Sequence, residues 1–282
     1  MTLLYKYLSL IRWPNLLIIV FTQYMARVFL VHDAYSWDQL LHDKNQFFIT
    51  LCTVLVAAAG YIINDYFDIK IDHINKPDEV VIGRFIPRRH ALFLYQVLNT
   101  TAVIISYTIN FKVFLVNVLA INLLWFYASV FKKKPLIGNL LVSGLTGASL
   151  VVMAVFYTSD DKLINVYALF AFGISLIREI IKDMEDIRGD MLYDSKTLPI
   201  VYGLRKTKQL LYVFMILFVI GVAILAVLLN NYYLNVALLF LSIPFLYLAF
   251  RLYFADRKKH FSQLSLMSKI IMVLGILSMI FV

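Results

Sequence analysis

Apolar residues are gathered into nine long runs along the chain, separated by polar connections, several of them very short. A helix needs about 20 apolar residues to cross the hydrocarbon core of a bilayer, and each run is of that order. Short connections make consecutive helices antiparallel neighbours. The pattern therefore predicts an all-α integral membrane protein with nine transmembrane helices in one bundle and a single domain over residues 1–282. The predicted spans are residues 15–31, 46–64, 91–110, 113–131, 136–157, 164–182, 208–230, 232–253 and 263–281.

The composition agrees with this class of protein. Hydrophobic residues make up 62% of the chain and charged residues 15%, which is too apolar for a soluble globular domain. The first run could be mistaken for a signal peptide, but it lacks a small-residue cleavage site and eight runs follow it, so we interpret it as structure. The single cysteine, Cys52, lies inside a run, which excludes a disulfide framework and a cysteine-based metal site.

Positive charge is concentrated on one side of the predicted bundle. The net charge is +9, and all but four of the 26 Lys and Arg residues lie near the N-terminus or near alternate connections. Because Lys/Arg bias sets orientation, we predict that the N-terminus and the polar loops at 65–90 and 183–207 are cytoplasmic, in the inner (plasma) membrane. The excess of basic residues is then explained by the orientation of the protein in the membrane, and not by nucleic-acid binding. The same charge could also contact anionic lipid headgroups or an anionic substrate. The four exceptions are Arg27, Lys44, Lys112 and Lys162.

Two pairs of similar stretches suggest an internal repeat. "RWPNLL" precedes the first span and "KPLIGNLL" precedes the fifth, while acidic stretches follow the second and the sixth spans. One interpretation is two four-helix units followed by a ninth helix. The other is coincidence, because proline near the start of a helix is ordinary.

The second and sixth spans both end in acidic residues at helical spacing. In "NDYFDIKID", residues 64–72, Asn64, Asp68 and Asp72 recur at steps of four, and Asp65 falls in the same quadrant at about 100° per residue. The sixth span ends in "REIIKDMEDIRGD", residues 178–190, whose acidic residues share one side if the helix persists past its glycine. The acidic residues of this second stretch are Glu179, Asp183, Asp186 and Asp190.

Stacked carboxylates beside hydrocarbon need a compensating cation. Like charges at helical spacing repel one another, and carboxylates next to the membrane core are expensive. Mg²⁺ prefers hard oxygen ligands, and the partial negative charge of two helix C-termini also favours a cation. No histidine shares the spacing, since His73 points elsewhere on the helix, so zinc is disfavoured. The alternative is that these are ordinary solvated helix ends, which two equivalent clusters make harder to sustain.

Magnesium with few protein ligands typically binds together with phosphate groups of a substrate. Basic side chains near the acidic stretches could hold a diphosphate, although some of them serve only the charge bias across the membrane. They are Lys70, Lys76, Arg84, Arg88, Arg89, Lys182, Arg188 and Lys196. The chemistry that fits is ionisation of a lipid diphosphate: Mg²⁺ and basic side chains neutralise the leaving pyrophosphate, and an acceptor traps the allylic carbocation.

The acidic stretches resemble the motifs of a known family. "NDYFDIKIDHINKP" resembles the first Asp-rich motif, N-x-x-x-D-x-x-x-D, of the UbiA superfamily of intramembrane prenyltransferases. "DMEDIRGDMLYDSKTLPIVYG" resembles its second motif, D-x-x-x-D followed by a K-[ST] pair, and "RWPN" and "YASVFKKKPLIGN" are similar to two of its connections. The resemblance covers the whole chain, so it implies one UbiA-like prenyltransferase domain at 1–282 with Mg²⁺ as cofactor.

The resemblance also implies roles for individual residues. The positions that match the family's Mg²⁺-diphosphate ligands are Asn64, Asp68, Asp72, Asp186 and Asp190, and those that match its diphosphate contacts are Asn75, Lys76, Arg84 and Lys196, with Asp183 as an additional acidic position. Tyr127 matches a family tyrosine near the reacting end of the prenyl chain, where its ring face could steady an allylic cation. The alternative for Tyr127 is an ordinary aromatic residue in an aromatic-rich span.

The first loop departs from the family pattern. Many members read N-R-P-x-R-P-x-x-S-G, whereas this chain reads "NKPDEVVIG", residues 75–83, without the second arginine, which Arg88 or Arg89 could replace. This variant resembles the branch of geranylgeranylglycerol-phosphate geranylgeranyltransferases. The implied partners are a prenyl diphosphate and a lipid acceptor such as geranylgeranylglycerol phosphate, in ether-lipid biosynthesis. Aromatic acceptors of quinone biosynthesis, 4-hydroxybenzoate or a dihydroxynaphthoate, remain the alternative.

Two rival functions come from other classes of protein. A secondary transporter would place its site near the bilayer midplane at interrupted helices. Here the acidic residues lie at span ends, and we expect almost no charge inside the spans apart from Arg27. A catalytically silent membrane scaffold does not explain paired acidic clusters. The sequence therefore favours the prenyltransferase.

Overall fold

The computed structural model describes residues 3–31, 37–157 and 162–282, and these residues are almost entirely helical. They contain no β-sheet, only an isolated bridge between Ile82 and Ile86. Short 3₁₀ turns lie at Phe131–Lys133 and Ser278–Phe281. The α-helices are α1 (Leu3–Leu10), α2 (Trp13–Phe29), α3 (Trp37–His42), α4 (Lys44–Asn75), α5 (Arg88–Ile109), α6 (Phe111–Ser129), α7 (Ile137–Tyr157), α8 (Lys162–Leu192), α9 (Leu198–Leu229), α10 (Tyr232–Tyr253) and α11 (Lys258–Leu277).

Eight of the described helices, α4 to α11, are long and apolar enough to cross a membrane. Helices α1 and α2 are bent by 59° at the break between them and could together make a ninth span. Arg12 occupies the break with a left-handed φ of 51°, and Pro14 lies in the first turn of α2, where its missing N–H is not needed. The predicted class, an all-helical membrane protein, is confirmed for the described residues, with eight or nine candidate spans.

The helices that carry the acidic stretches run beyond their apolar segments. Helix α4 continues to Asn75, and α8 continues past Gly189 to Leu192. The loops predicted at 65–90 and 183–207 therefore begin about three turns later than the apolar runs indicate. The acidic side chains accordingly sit on regular helix, as their spacing required.

Apolar packing places α4 and α8 in the middle of the bundle. In the most apolar stretch of each helix, 56% of the residues of α4 and of α8 are buried, against 11% in α9. A helix that is apolar on its exposed side is suited to a lipid environment. The two acidic helices are thus the ones most enclosed by protein.

The buried charge Arg27 lies at the other end of α4 from the acidic stretch. Its Nε lies 3.4 Å from Asp43 Oδ2, and its guanidinium lies 4.2 Å from the centre of the Tyr157 ring. Asp43 also caps α4 by accepting hydrogen bonds from the backbone N–H groups of Asn45 and Gln46. Arg27 therefore ties together the ends of α2, α4 and α7 that lie away from the acidic residues.

Candidate active site

A single asparagine joins the acidic ends of α4 and α8. The side chain of Asn75 donates to the carbonyl oxygen of Asp186 at 3.0 Å and accepts from the backbone N–H of Gly189 at 2.9 Å. Asn75 is buried, and its own carbonyl accepts from Lys258 at the start of α11. Asn75, which we predicted as a substrate contact, thus also has a structural role: it connects the ends of the two acidic helices.

Gly189 is required by this junction. A Cβ on Gly189 would lie 2.5–2.6 Å from the side-chain amide atoms of Asn75, closer than atoms in van der Waals contact can come. We expect Gly189→Ala to cost about 1–3 kcal/mol, the usual range for overpacking, and to lower prenyl transfer by separating the acidic ends. Thermal unfolding in detergent and activity on the same sample measure both effects.

Gly221→Ala is the matched control for Gly189→Ala. An added Cβ on Gly221 in α9 meets nothing within 4 Å, so this change should be neutral or slightly stabilising because alanine favours helix. Equal melting temperatures and activities for the two variants would contradict the tight junction at Asn75.

A cavity of about 320 Å³ opens between the helices at this junction. Its wall is acidic and basic near the ends of α4 and α8 and becomes apolar further in, where Ile18, Leu145 and Phe170 line it. Thr53 and Asp72 both line it, and they lie roughly 28 Å apart along α4 at 1.5 Å per residue. The residues named from the sequence that line it are Asn64, Asp68, Asp72, Asn75, Lys76, Tyr127, Glu179, Lys182, Asp183, Asp186 and Asp190.

Asp68 is the most enclosed carboxylate of the first acidic stretch, with 3% of the residue exposed. It accepts a hydrogen bond from the Asn64 side chain at 2.9 Å and forms an ion pair with Lys132, in the turn between α6 and α7. Burial alone would lower the pKa of Lys132, but the charge of Asp68 and the hydrogen bond to it, together with Tyr127 and Asp72, hold the pKa above its usual value. Lys132 is therefore a positive charge fixed at the acidic mouth.

Sequence reasoning missed Lys132. It is the first of three lysines in "FKKKP", a stretch that we matched to a family connection without predicting a role for any of its lysines. Nothing in the local pattern separates it from Lys133 and Lys134. Its contact with Asp68 spans 64 positions along the chain, so only the packing of α6 and α7 against α4 singles it out.

The second acidic stretch has its own set of polar partners. Asp186 Oδ2 lies 3.5 Å from Lys76 Nζ, and Asp183 Oδ2 accepts from the Asn139 side chain at 2.9 Å. The other carboxylate oxygen of Asp186 is buried and has no hydrogen-bond partner among the described residues. Buried polar atoms are rarely left unpaired, so this oxygen is available to a cation or a ligand.

Two predicted diphosphate contacts lie outside the cavity. Arg84 is exposed and donates to the carbonyl of Pro77 at 3.4 Å. Lys196 is exposed, and its backbone N–H donates to the carbonyl of Lys133 at 2.8 Å. Arg88, a suggested substitute for the missing loop arginine, lies over the Tyr66 ring. The roles of these three cations remain predictions.

The expectation that span interiors carry almost no charge apart from Arg27 needs correction. Arg178, Lys182 and Lys269 also line the cavity, from within α8 and α11. These cations lie close in sequence to the cytoplasmic loops, so we counted them with those loops. However, α8 runs on to Leu192 and α11 already begins at Lys258, which places all three inside the helices.

The donor set fits magnesium held together with a substrate rather than alone. No group of three or more His, Cys, Asp and Glu side chains in the described parts of the chain is arranged to hold a metal by itself. Mg²⁺ is usually bound by one or two carboxylates plus substrate phosphates. Carboxylates on two joined helices, with one unpaired Asp186 oxygen, meet that description.

The structure is that of a helical membrane protein with a cavity of about 320 Å³ whose mouth carries carboxylates and lysines. Residues 17–270 match the model of the UbiA prenyltransferase family, and the chain belongs to this family. The resemblance inferred from the Asp-rich motifs is confirmed.

Similar proteins carry one recurring name. Digeranylgeranylglyceryl phosphate synthase of Thermococcus sibiricus is 37% identical over 178 residues, which cover 63% of this chain and 63% of the relative. The protein of that name from Methanosarcina mazei is 32% identical over 211 residues, covering 72% of this chain and 73% of the relative. The chain thus spans less than two thirds of the length of the first of these relatives.

Solved structures share the fold over nearly the whole chain. A structure of digeranylgeranylglyceryl phosphate synthase superposes with a TM-score of 0.73 at 28% identity and covers 99% of this chain and 98% of that one. A UbiA homologue from Archaeoglobus fulgidus bound to DMAPP and Mg²⁺ gives a TM-score of 0.69 at 16% identity and covers 98% of this chain and 100% of that one. At that lower identity the likeness shows the fold alone.

Proposed function

We propose that this protein is a Mg²⁺-dependent prenyltransferase that moves a polyprenyl group from an allylic diphosphate to a hydroxyl of a glycerol-phosphate lipid. The observation that carries the proposal is the junction of α4 and α8, where carboxylates of two helices meet at the mouth of a cavity with an apolar interior. The names of the relatives support geranylgeranylglycerol phosphate as the acceptor, in ether-lipid biosynthesis.

The diphosphate of the donor would lie at the acidic mouth and its prenyl tail in the apolar part of the cavity. The residues that would hold Mg²⁺ are Asn64, Asp68, Asp72, Asp186 and Asp190. Bound Mg²⁺ would supply positive charge to the departing diphosphate. Lys76 and Lys132, each in an ion pair with one of these aspartates, would add to that charge, as Asn75 would add a polar contact.

Transfer exchanges one carbon–oxygen bond for another. The bond between the allylic carbon and the diphosphate breaks, and its electron pair leaves on the diphosphate oxygen. The acceptor hydroxyl oxygen forms the new bond to that carbon, and its proton is released to solvent through the mouth. Tyr127, on the cavity wall, would turn its ring to the allylic cation, and the surrounding apolar wall would keep water away.

The proposed placement in the membrane follows the charge distribution. Helices α1 and α2 would form the first of nine spans in one domain over residues 1–282, and the acidic mouth would face the cytoplasm at the plasma membrane. The concentration of Lys and Arg on the side of the mouth supports this orientation.

The direct test supplies detergent-purified protein with labelled geranylgeranyl diphosphate, Mg²⁺ and one acceptor at a time. Geranylgeranylglycerol phosphate should give acceptor-dependent pyrophosphate release and a product carrying a second prenyl ether, identified by mass spectrometry. In parallel reactions, 4-hydroxybenzoate and a dihydroxynaphthoate should give at most a few per cent of that rate.

Two outcomes of this assay would overturn the proposal. Faster transfer to either aromatic acceptor would assign the protein to quinone biosynthesis instead. No acceptor-dependent pyrophosphate release with any of the three acceptors would remove prenyl transfer altogether.

A further inference from the structure

Four positive side chains line the cavity beside the acidic mouth. Arg12 lies at the break before α2, Arg178 and Lys182 lie one turn apart on α8, and Lys269 lies on α11. Lys269 is near enough to feel the charges of the other three cations and the opposite charge of Glu179, and these cations come from three separate parts of the chain. We call these residues the cationic cluster.

The cationic cluster holds more positive than negative charge. Arg12 pairs with Asp65 at 2.8 Å, while Glu179 serves both Arg178 at 2.8 Å and Lys182 at 3.4 Å. Two carboxylates are thus shared among three of the cations.

Lys269 adds a fourth cation without a carboxylate. Its Nζ donates to the side-chain oxygen of Asn15 at 3.0 Å and forms no ion pair with a carboxylate of the described residues. The buried Nε of Arg178 also lacks a hydrogen-bond partner among them. Counted by direct ion pairs, two positive charges remain unmatched.

Unmatched charge at this depth is costly. Lys269 lies roughly 16 Å along α11 from Lys258, at 1.5 Å per residue, well within the apolar part of the bundle. Ionisable groups inside membrane proteins are expensive and mark substrate or ion pathways. An anion of charge −2, such as a phosphate monoester, would match the cluster.

Part of the cationic cluster lies deeper than the acidic mouth, whereas Arg12 pairs with Asp65 and Lys182 lies one turn from Asp186. Arg178 lies eight residues before Asp186 on α8, about 12 Å along the helix. The mouth already contains its own lysines, Lys76 and Lys132, for a donor diphosphate. A second anionic group can therefore occupy the same cavity without competing for these residues.

We propose that Arg12, Arg178, Lys182 and Lys269 form the binding subsite for the phosphate of the acceptor lipid. The proposal rests on the proposed function for the identity of the acceptor. The phosphate held by the cluster positions the acceptor hydroxyl toward the donor carbon, and the acceptor's own prenyl tail shares the apolar cavity. These four side chains thus favour a phosphate-bearing acceptor over an uncharged one.

Lys269→Met tests the subsite, because methionine keeps the length of the side chain and removes its charge. The KM for geranylgeranylglycerol phosphate should rise about 10-fold or more, the cost of one charge-assisted hydrogen bond, while the KM for the prenyl diphosphate changes less than about twofold. Lys269→Arg, which keeps the charge, should recover most of the acceptor affinity that Lys269→Met loses. Lys208→Met is the matched control, because Lys208 pairs with Asp256 away from the cavity.

Binding without turnover separates this inference from the proposed function. Native mass spectrometry of the detergent-purified protein, without Mg²⁺ or donor, should show geranylgeranylglycerol phosphate bound to wild type and Lys208→Met but not to Lys269→Met, and no binding of geranylgeranylglycerol lacking the phosphate. This pattern would support the subsite even if the protein transferred no prenyl group.

Four results would overturn the subsite. An unchanged acceptor KM in Lys269→Met, or equal binding of the phosphate-free lipid, would show that the cluster does not bind the acceptor phosphate. A rise in the KM of the prenyl diphosphate alone would assign the cluster to the donor. If 4-hydroxybenzoate, and not the phosphate lipid, lost binding in Lys269→Met, the anion would be a carboxylate.

Discussion

Asp68→Asn is expected to lower the rate of prenyl transfer by about 10³-fold, a magnitude typical for loss of a group that stabilises charge in the transition state. The asparagine keeps the shape of the side chain but removes the negative charge that would hold Mg²⁺. Asp68 is also the carboxylate that fixes Lys132 at the mouth, so the change releases a cation meant for the leaving group. Pyrophosphate release at saturating donor and acceptor measures the effect.

The fold should survive Asp68→Asn. Lys132 is 29% exposed and can reach solvent, so loss of its partner costs less than a fully buried ion pair would. Asp78→Asn is the matched control, because Asp78 is exposed in the loop after α4 and does not line the cavity. A variant that unfolds no earlier than wild type yet keeps more than about a tenth of its activity would exclude Asp68 from the active site.

Removal of Mg²⁺ is expected to abolish turnover while the protein stays folded. The described residues contain no cluster of three or more His, Cys, Asp and Glu side chains that could hold a metal alone. Asp186, Asp68 and Asp183 already have partners in Lys76, Lys132 and Asn139, respectively. The metal therefore contributes little to folding, unlike a structural zinc site. Treatment with EDTA should stop pyrophosphate release and shift the melting temperature by no more than about 2 °C, because a weakly bound ligand adds little stability.

The same geometry predicts that Mg²⁺ binds well only with the donor. Isothermal titration should show weak binding of Mg²⁺ to the free protein and at least about 10-fold tighter binding in the presence of an unreactive prenyl diphosphate analogue, whose phosphates complete the ligand set. Added Mg²⁺ should restore activity after EDTA. Activity that persists in EDTA, or unfolding on removal of the metal, would contradict this account.

Helical periodicity allowed the acidic residues of the site to be predicted from the sequence. Asp68 and Asp72 face one side of α4, and Asp186 and Asp190 face one side of α8, because residues at steps of four share a helix face whatever surrounds the helix. The apolar runs likewise predicted the helices, since length and hydropathy are local properties. The ends of α4 and α8 were placed too early because polar residues enclosed by protein look like loop residues in a sequence.

The basic residues of the site could not be predicted in the same way. Lysines and arginines near a membrane can set the orientation of the protein or bind a substrate, and their sequence pattern is the same in both cases. Arg84 and Lys196 match family positions but lie outside the cavity, whereas Lys132 and Lys269 line it although no substrate contact was predicted for either. Which cations meet the carboxylates depends on contacts between distant helices.

The class of protein, the helices and the two acidic faces were predictable, because apolar runs and residue spacing are local properties of the chain. The tertiary structure decided how those faces meet through Asn75 and Gly189, which lysine neutralises Asp68, and where a cationic cluster gathers beside them. These features join residues far apart in the chain. Their positions depend on how whole helices pack against one another, which cannot be inferred from a local sequence pattern.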